Sequence, residues 1–420
     1  MRDENSQNHG LDGLRDSKDD VSIKEKKSVS SAQSIKIRDS DKMKKGWEIK
    51  KLGDVCQILN GGTPDTTIPK YWDGDNLWIT PKDMGKLKSK FVEDTFRKIT
   101  NDGLKNSSAK ILPPNSIVLS SRAPIGHLAI NNKSLSTNQG CKGLVPNKNL
   151  DTLYLYYFLT DSVELLNSLG TGATFKELSG SKLSTVEIPL PPLPEQQRIV
   201  SILDTAFAAI AKAKANAEQN LKNAKELFES YLQNIYKNDK WDIKYLNDIS
   251  ENLDSKRIPI TKNVRSEGNI PYYGASGIVD FVAEYIFDED LLCVSEDGAN
   301  LLARTYPIAF AISGKTWVNN HAHVLRFKNI ISQKFVDFYL NSIKLDDFIS
   351  GMAQPKLNQS MLNKIPIPFP SISEQESIIS KLEVLSTETK KLEAIYQQKI
   401  NDMEELKKSV LGKAFSGELR

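Results

Sequence analysis

Cysteine is scarce in this 420-residue chain: Cys56, Cys141 and Cys293, with no Cys-x-x-Cys pair. That excludes a disulfide framework and the common zinc motifs, and it fits a reducing compartment. Histidine is almost as rare, at four residues. His321-Ala-His323 places two imidazoles on one strand face, but a metal needs a third and a fourth ligand that His9 and His127 do not obviously supply, so structural histidines are expected. No apolar run approaches the roughly 18 residues of a bilayer span, and the N-terminus has no hydrophobic signal core. A cytoplasmic protein is expected. Lys and Arg number 56 against 53 Asp and Glu, a net charge of +3. Such a balance gives no strong global field, so any nucleic-acid binding must use local patches or a partner. Catalytic patterns are missing as well: there is no Ser-His-Asp grouping, no Asn-Pro-Pro-aromatic loop and no compelling acidic metal cluster. Ser313-Gly314-Lys315-Thr316 imitates a phosphate-binding loop, but Ala309 stands where that motif requires glycine. The chain is expected to do no chemistry alone.

What the chain does have is a repeat. Ile188-Pro-Leu-Pro-Pro-Leu-Pro194, followed by Glu195-Gln196, opens a run of about forty residues without Gly or Pro. At an offset of 179, Ile367-Pro-Phe-Pro370 leads to Glu374-Gln375 and a second run, with no insertion needed between them. Prolines before the start and a carboxylate in the first turn predict a long helix in each case. Ile199, Leu203, Ile210 and Leu227 in the first run follow a 3.5-residue period. Ile378, Leu382, Leu385, Leu392, Met403 and Leu406 do so in the second. This is the seam of a coiled coil. Each rod should be roughly 60 Å long, and each is the nearest partner for the other.

A second phrase also repeats. Trp47-Glu-Ile-Lys-Lys-Leu52 returns as Trp241-Asp-Ile-Lys-Tyr-Leu246, now at an offset of 194, so the second globular region is 15 residues shorter than the first. The ends are constant and the middles differ. We therefore expect an α+β chain of two tandem, mostly-β domains, 47–187 and 241–366, separated by long antiparallel helical segments, 188–240 and 367–420, with an internal pseudo-twofold repeat. Residues 1–46 contain no aromatic residue and many charges of both signs, the composition of a disordered extension. Met43 is an alternative start.

Within the domains, Ile117 to Ser120, Leu291 to Val294 and Val318 to Leu325 read as strands, and Asp151 to Leu169 and Gln333 to Leu345 as helices. Asn138, Gln139 and Lys142 fall in the first domain where Asn320 and His321 fall in the second. Amide, imidazole and ammonium groups can read base edges or hold phosphates. Thr63, Lys82, Arg122, Tyr272, Tyr273, Ser276, Arg304 and Lys315 are further candidates. Each is as readily a polar group on a solvated edge.

Taken in order, these phrases resemble one family, the specificity subunit of type I restriction–modification enzymes. The resemblance covers about 47–420. It rests on Trp47-Glu-Ile-Lys-Lys-Leu, Gly61-Gly-Thr-Pro with Tyr71-Trp72 and Trp78-Ile-Thr80, Ser136-Thr-Asn-Gln-Gly, the proline–Glu-Gln phrases, Pro271-Tyr-Tyr-Gly-Ala-Ser-Gly, Asn319-Asn-His-Ala-His, and Ala414-Phe-Ser-Gly-Glu-Leu. It implies two target-recognition domains, each reading one half of a bipartite double-stranded DNA site. It also implies helices that set the spacing and dock two modification (methyltransferase) subunits. S-adenosylmethionine, ATP and magnesium would belong to those and to the motor-nuclease restriction subunits, not to this chain, which would be non-catalytic. The competing readings are an orphan DNA-binding specificity protein, a stand-alone coiled-coil adaptor without DNA, and a lone nuclease or methyltransferase.

Overall fold

A computed structural model describes residues 44–172, 176–351 and 353–419. The expected disordered extension therefore lies almost wholly outside the described residues. The chain divides into two compact units, one holding residues up to Ala213 together with Asp402 onward, the other Lys214–Asn401.

In the first unit the domain begins with β1 (Glu48–Lys51) and β2 (Cys56–Asn60). There follow β3 (Trp72–Ile79), β4 (Phe91–Val92), β5 (Arg97–Ile99), β6 (Ile117–Ser121), β7 (Ile125–Asn131), β8 (Leu135–Thr137) and β9 (Cys141–Pro146). β10 (Glu187–Leu190) closes it by pairing antiparallel with β1. One sheet has the order β2-β9-β6-β7-β4 and the other β5-β3-β8. All of β6 is buried because it is covered on both faces. Ile117 and Leu119 face a cluster with the helical Tyr154, Leu155 and Leu159, while Val118 faces Leu77, Ile79 and Leu135 of the smaller sheet. Alternate residues of a strand serve opposite faces, so one strand supports two cores.

The second unit repeats the plan. Its strands are β11 (Asp242–Lys244), β12 (Ser250–Asn252), β13 (Ile270–Gly274), β14 (Gly277–Val282), β15 (Phe287–Asp288), β16 (Leu291–Ser295), β17 (Ala309–Ile312), β18 (Lys315–Val318), β19 (Ala322–Phe327) and β20 (Ile367–Phe369). The sheets run β12-β19-β16-β17 and β14-β13-β18-β15, and β11 pairs with β20. Leu292 and Val294 face the helical side, Leu291 and Cys293 the sheet that holds β13 and β18. The strand read over Val318 to Leu325 is two strands, because the Asn319 side chain accepts from the His321 amide and turns the chain. Ser313-Gly314 is the two-residue link between β17 and β18, which belong to different sheets, with Gly314 at φ +66°, and is not a phosphate loop.

The proline phrases are strands and turns; the long helices follow them, at Leu193–Ile235 and Ile372–Ser416. The repeated glutamines explain the repeated spelling. Gln196 is fully buried, donates to the carbonyls of Pro191 (2.8 Å) and Asn149 (2.9 Å), and accepts from the Asp151 amide. Gln375, equally buried, donates to Pro370 and accepts from the Ser332 hydroxyl. Each amide side chain ties a proline turn to the start of the domain's own helix. Beside Gln196, the Arg198 guanidinium and then Lys44 hold the Glu195 carboxyl down at about 2.

In the first unit Ile199 and Leu203, near the start of the first long helix, share a core with Leu411, Ala414 and Phe415 at the end of the second. In the second unit Leu232 and Tyr236 share one with Ile379 and Leu382. The two helices are therefore antiparallel. Their seam differs in part from the 3.5-residue stripe expected. Ile210, Ala217, Ala224 and Thr389 are buried on it, and Ile378, Leu385 and Met403 lie half-buried. Leu227 is 62% exposed, Leu392 41% and Leu406 46%, while Phe228 packs into the core beside Leu227. Two neighbouring apolar ridges ran along each helix, and tertiary packing chose one.

Candidate nucleic-acid interface

In the first unit several expected polar residues converge on one loop cluster. The Thr63 hydroxyl donates to the Gln139 side chain, and Asn138 accepts from the Gly140 amide at 3.0 Å. A Cβ on Gly61 would lie 1.8 Å from the Asn138 carbonyl oxygen, so glycine lets these two loops touch. Arg122 and Asn138 both border Gly140, as does Pro81, which precedes the exposed Lys82.

Beyond them lies an open polar hollow lined in part by Asn60, Lys142, Glu177, Ser179 and Ser181. The Lys142 side chain is 7% exposed, and its ammonium lies 3.7 Å from Glu177, outside ordinary hydrogen-bond reach. Arg122 stands 3.7 Å from the other Glu177 oxygen. Lys142 is thus a recessed cation that lines this hollow, and not an exposed one.

In the second unit Asn320 and Ser276 are exposed, and Asn319 hydrogen-bonds through its amide to the Tyr273 carbonyl. Exposed His321 pairs with Asp297 at 2.9 Å. Three other candidates are committed elsewhere. Tyr272 is buried, lies under the Arg265 guanidinium at 4.3 Å, and accepts from the Ile260 amide. Arg304 donates to the carbonyls of Leu340 and Ile343 and so closes the Ile330–Ser342 helix. Lys315 sits over the Tyr285 ring at 4.7 Å, at the far end of β18 from Asn319.

His323, absent from the candidates, is the centre of a buried network. Its Nδ1 meets Asp254 at 2.6 Å and its Nε2 the Leu357 carbonyl at 2.7 Å. Arg257 bridges Glu296 (2.6 Å) and the Ala322 carbonyl (2.7 Å), and Lys356 reaches Glu296 at 3.1 Å. Burial would raise the Asp254 and Glu296 carboxyls, but the ring, the guanidinium and other donors outweigh it and hold both low. Asp254, Glu296 and His323 present ligand atoms within 4.8 Å of one another. The Arg257 guanidinium already supplies the positive charge that such a set would seek from a metal ion. Sequence favoured a structural histidine here but not its partners, because Asp254 and His323 are 69 residues apart. The three cysteines are buried thiols; burial pushes Cys56 and Cys141 up to about 12, which makes them poor nucleophiles.

No helix among the described residues is long and apolar enough to cross a membrane. The family described as the type I restriction modification DNA specificity domain matches residues 44–222 and again 238–402. The MjaIX specificity subunit of Methanocaldococcus jannaschii is 32% identical over 312 residues, covering 70% of this chain and 72% of its own. The EcoprrI specificity subunit of Escherichia coli is 25% identical over 380 residues, covering 86% and 93%. The fold is shared with a chain of a type I R-M system, solved to explain complex assembly and conformational transition, at a TM-score of 0.73 and 16% identity over 90% of this chain. It is shared also with the HsdS subunit from Thermoanaerobacter tengcongensis, at a TM-score of 0.60, 17% identity and the same coverage. With two specificity domains, each on the frame described above, the chain belongs to the specificity subunits of type I restriction–modification systems, the non-catalytic component that serves DNA recognition.

Proposed function

We propose that each domain reads one half of a bipartite site in double-stranded DNA, and that the long helices set the gap between the half-sites and dock the modification subunits in the cytoplasm. The observation that carries this is the pairing of a constant frame with divergent polar edges. Thr63, Gln139, Asn138 and Arg122 gather on one domain; the other exposes Ser276, Asn320 and the His321–Asp297 pair. Two different edges suit two different half-sites. Docking is supported by the apolar residues that the helix seam leaves uncovered: Leu227, Tyr231, Val384, Leu392, Ile395 and Leu406. Apolar patches of this kind mark protein interfaces. S-adenosylmethionine, ATP and magnesium are assigned to the partner subunits, including the restriction subunits.

The test is the methylome of a host expressing this chain with its modification subunit. A two-part adenine-methylation motif that vanishes when the chain is deleted is expected. A soluble complex that methylates without sequence preference would overturn the reading. Deleting two heptads from each helix should change the gap and leave both half-sites intact.

A further inference from the structure

Phe96 is 92% exposed, far more than any other large apolar side chain described; the next is Val264 at 69%. It stands on the short connection between β4, which belongs to the larger sheet, and β5, which belongs to the smaller. Beneath it the chain is tied by hydrogen bonds and ring contacts. The Thr95 hydroxyl accepts from the Trp78 amide at 3.1 Å and donates to the Arg97 carbonyl at 2.7 Å. The Arg97 guanidinium lies 3.5 Å over the Trp72 ring, Trp72 meets Trp78 edge-on, and the Trp78 indole donates to the Gly62 carbonyl. Above these contacts the ring stands clear of its own protein.

The surroundings indicate what covers it. Between Lys82 and Lys98 six Lys and Arg residues face three Asp and Glu. Exposed Lys82 and Lys86, together with Arg97 and the carboxylates Asp83 and Asp94, line a concavity of about 570 Å³ at the foot of the ring, so its cations outnumber its anions by one. A protruding apolar group flanked by cations complements a polyanion with an apolar feature in a groove. The major groove of DNA is wide enough for a protein turn, and its apolar feature is the thymine 5-methyl group; the minor groove presents no methyl.

Resting on the function proposed above, we infer that Phe96 is a specificity-determining residue of the first domain, its ring meeting a thymine methyl in the half-site that domain reads. Lys82 and Lys86 neutralise adjacent phosphates. The experiment uses the chain assembled with its modification subunits, with duplexes carrying the methylome-defined site and deoxyuridine replacing each thymine in turn.

One deoxyuridine is expected to weaken wild-type binding about fourfold, the worth of one buried methyl group. Phe96→Ala is expected to weaken binding about tenfold and to abolish that deoxyuridine effect, while Phe96→Leu keeps part of it. Non-additivity of this kind marks direct contact. Phe96→Ala with unchanged affinity and motif would overturn the inference. So would a loss in Phe96→Ala that leaves the deoxyuridine effect intact, or a defect in assembly with the modification subunits instead of DNA binding. A wild-type complex without a two-part motif would overturn the parent reading; a wild-type motif indifferent to Phe96 overturns this inference alone.

Discussion

The two domains share hydrogen bonds more closely than they share residues. Ser120 lies opposite Cys141 and Leu119 opposite Lys142; Ser295 lies opposite Ala322 and Val294 opposite His323. The Leu178 amide donates to the Ser121 carbonyl, as the Leu357 amide does to Glu296. Glu177 bridges to Arg122 and Thr171 where Lys356 bridges to Asp297 and Ser350. On this common frame the charges are exchanged: arginine against glutamate in one domain, aspartate against lysine in the other. The recessed basic residue differs too. Lys142 faces an open hollow, whereas His323 is sealed by Asp254, the Leu357 carbonyl and the Arg257 pair. Backbone pairing is indifferent to side chains, so the frame tolerates such exchanges, and a fold that must present different edges can keep its core.

The largest test of this contrast lies at the equivalent pair. His323→Ala leaves Asp254 buried without its principal partner and should cost about 3–5 kcal/mol. Lys142→Met, removing an ammonium with no close hydrogen bond, should change stability by less than about 1 kcal/mol. Urea unfolding, with hydrogen exchange to localise the loss, distinguishes them; equal costs would end the comparison. The helix seam gives the next effect. Phe228→Ala should cost about 2 kcal/mol and Leu227→Ala no more than about 0.5 kcal/mol, measured by thermal unfolding. The reverse order would restore the register expected from sequence.

A third contrast depends on pH. Asn329 and Asp151 cap the corresponding domain helices, and eight residues on stand Asp337 and buried Leu159. Burial raises the Asp337 carboxyl to about 7. The native group then keeps its proton after the unfolded one has lost it, so stability falls as pH rises from about 4 to about 7 and stays reduced above that. Asp337→Asn should therefore stabilise the second unit by about 1–2 kcal/mol at pH 8 and by nothing measurable at pH 4. Thermal melts at the two pH values decide it, and a gain at pH 4 would contradict the assignment. Glu177→Lys should change stability by no more than about 1 kcal/mol, because its ion pairs are partly solvated. If this edge reads DNA, methylome sequencing should show the same variant altering one half-site and sparing the other.

Much of the architecture was legible because it is written in periodic, local terms. The repeat, the two long helices, β6 and β16 followed from apolar spacing and proline punctuation. The buried role of Gln196 and Gln375 was signalled by their repetition, although not explained by it. The polar edges were legible only by residue type. Tyr272 and Arg304 looked like surface candidates and are spent on Ile260 and a helix terminus. Phe96 passed unnoticed, since exposure leaves no mark in a sequence.

By itself, then, the sequence determined the order of the elements, the duplication and the lengths of the rods, because these arise from interactions between near neighbours along the chain. Only the tertiary structure decided which apolar ridge is covered, which basic side chain is sealed and which ring stands free. Those outcomes depend on contacts between residues far apart in the chain, such as Asp254 with His323, and on whether another part of the molecule arrives to bury them.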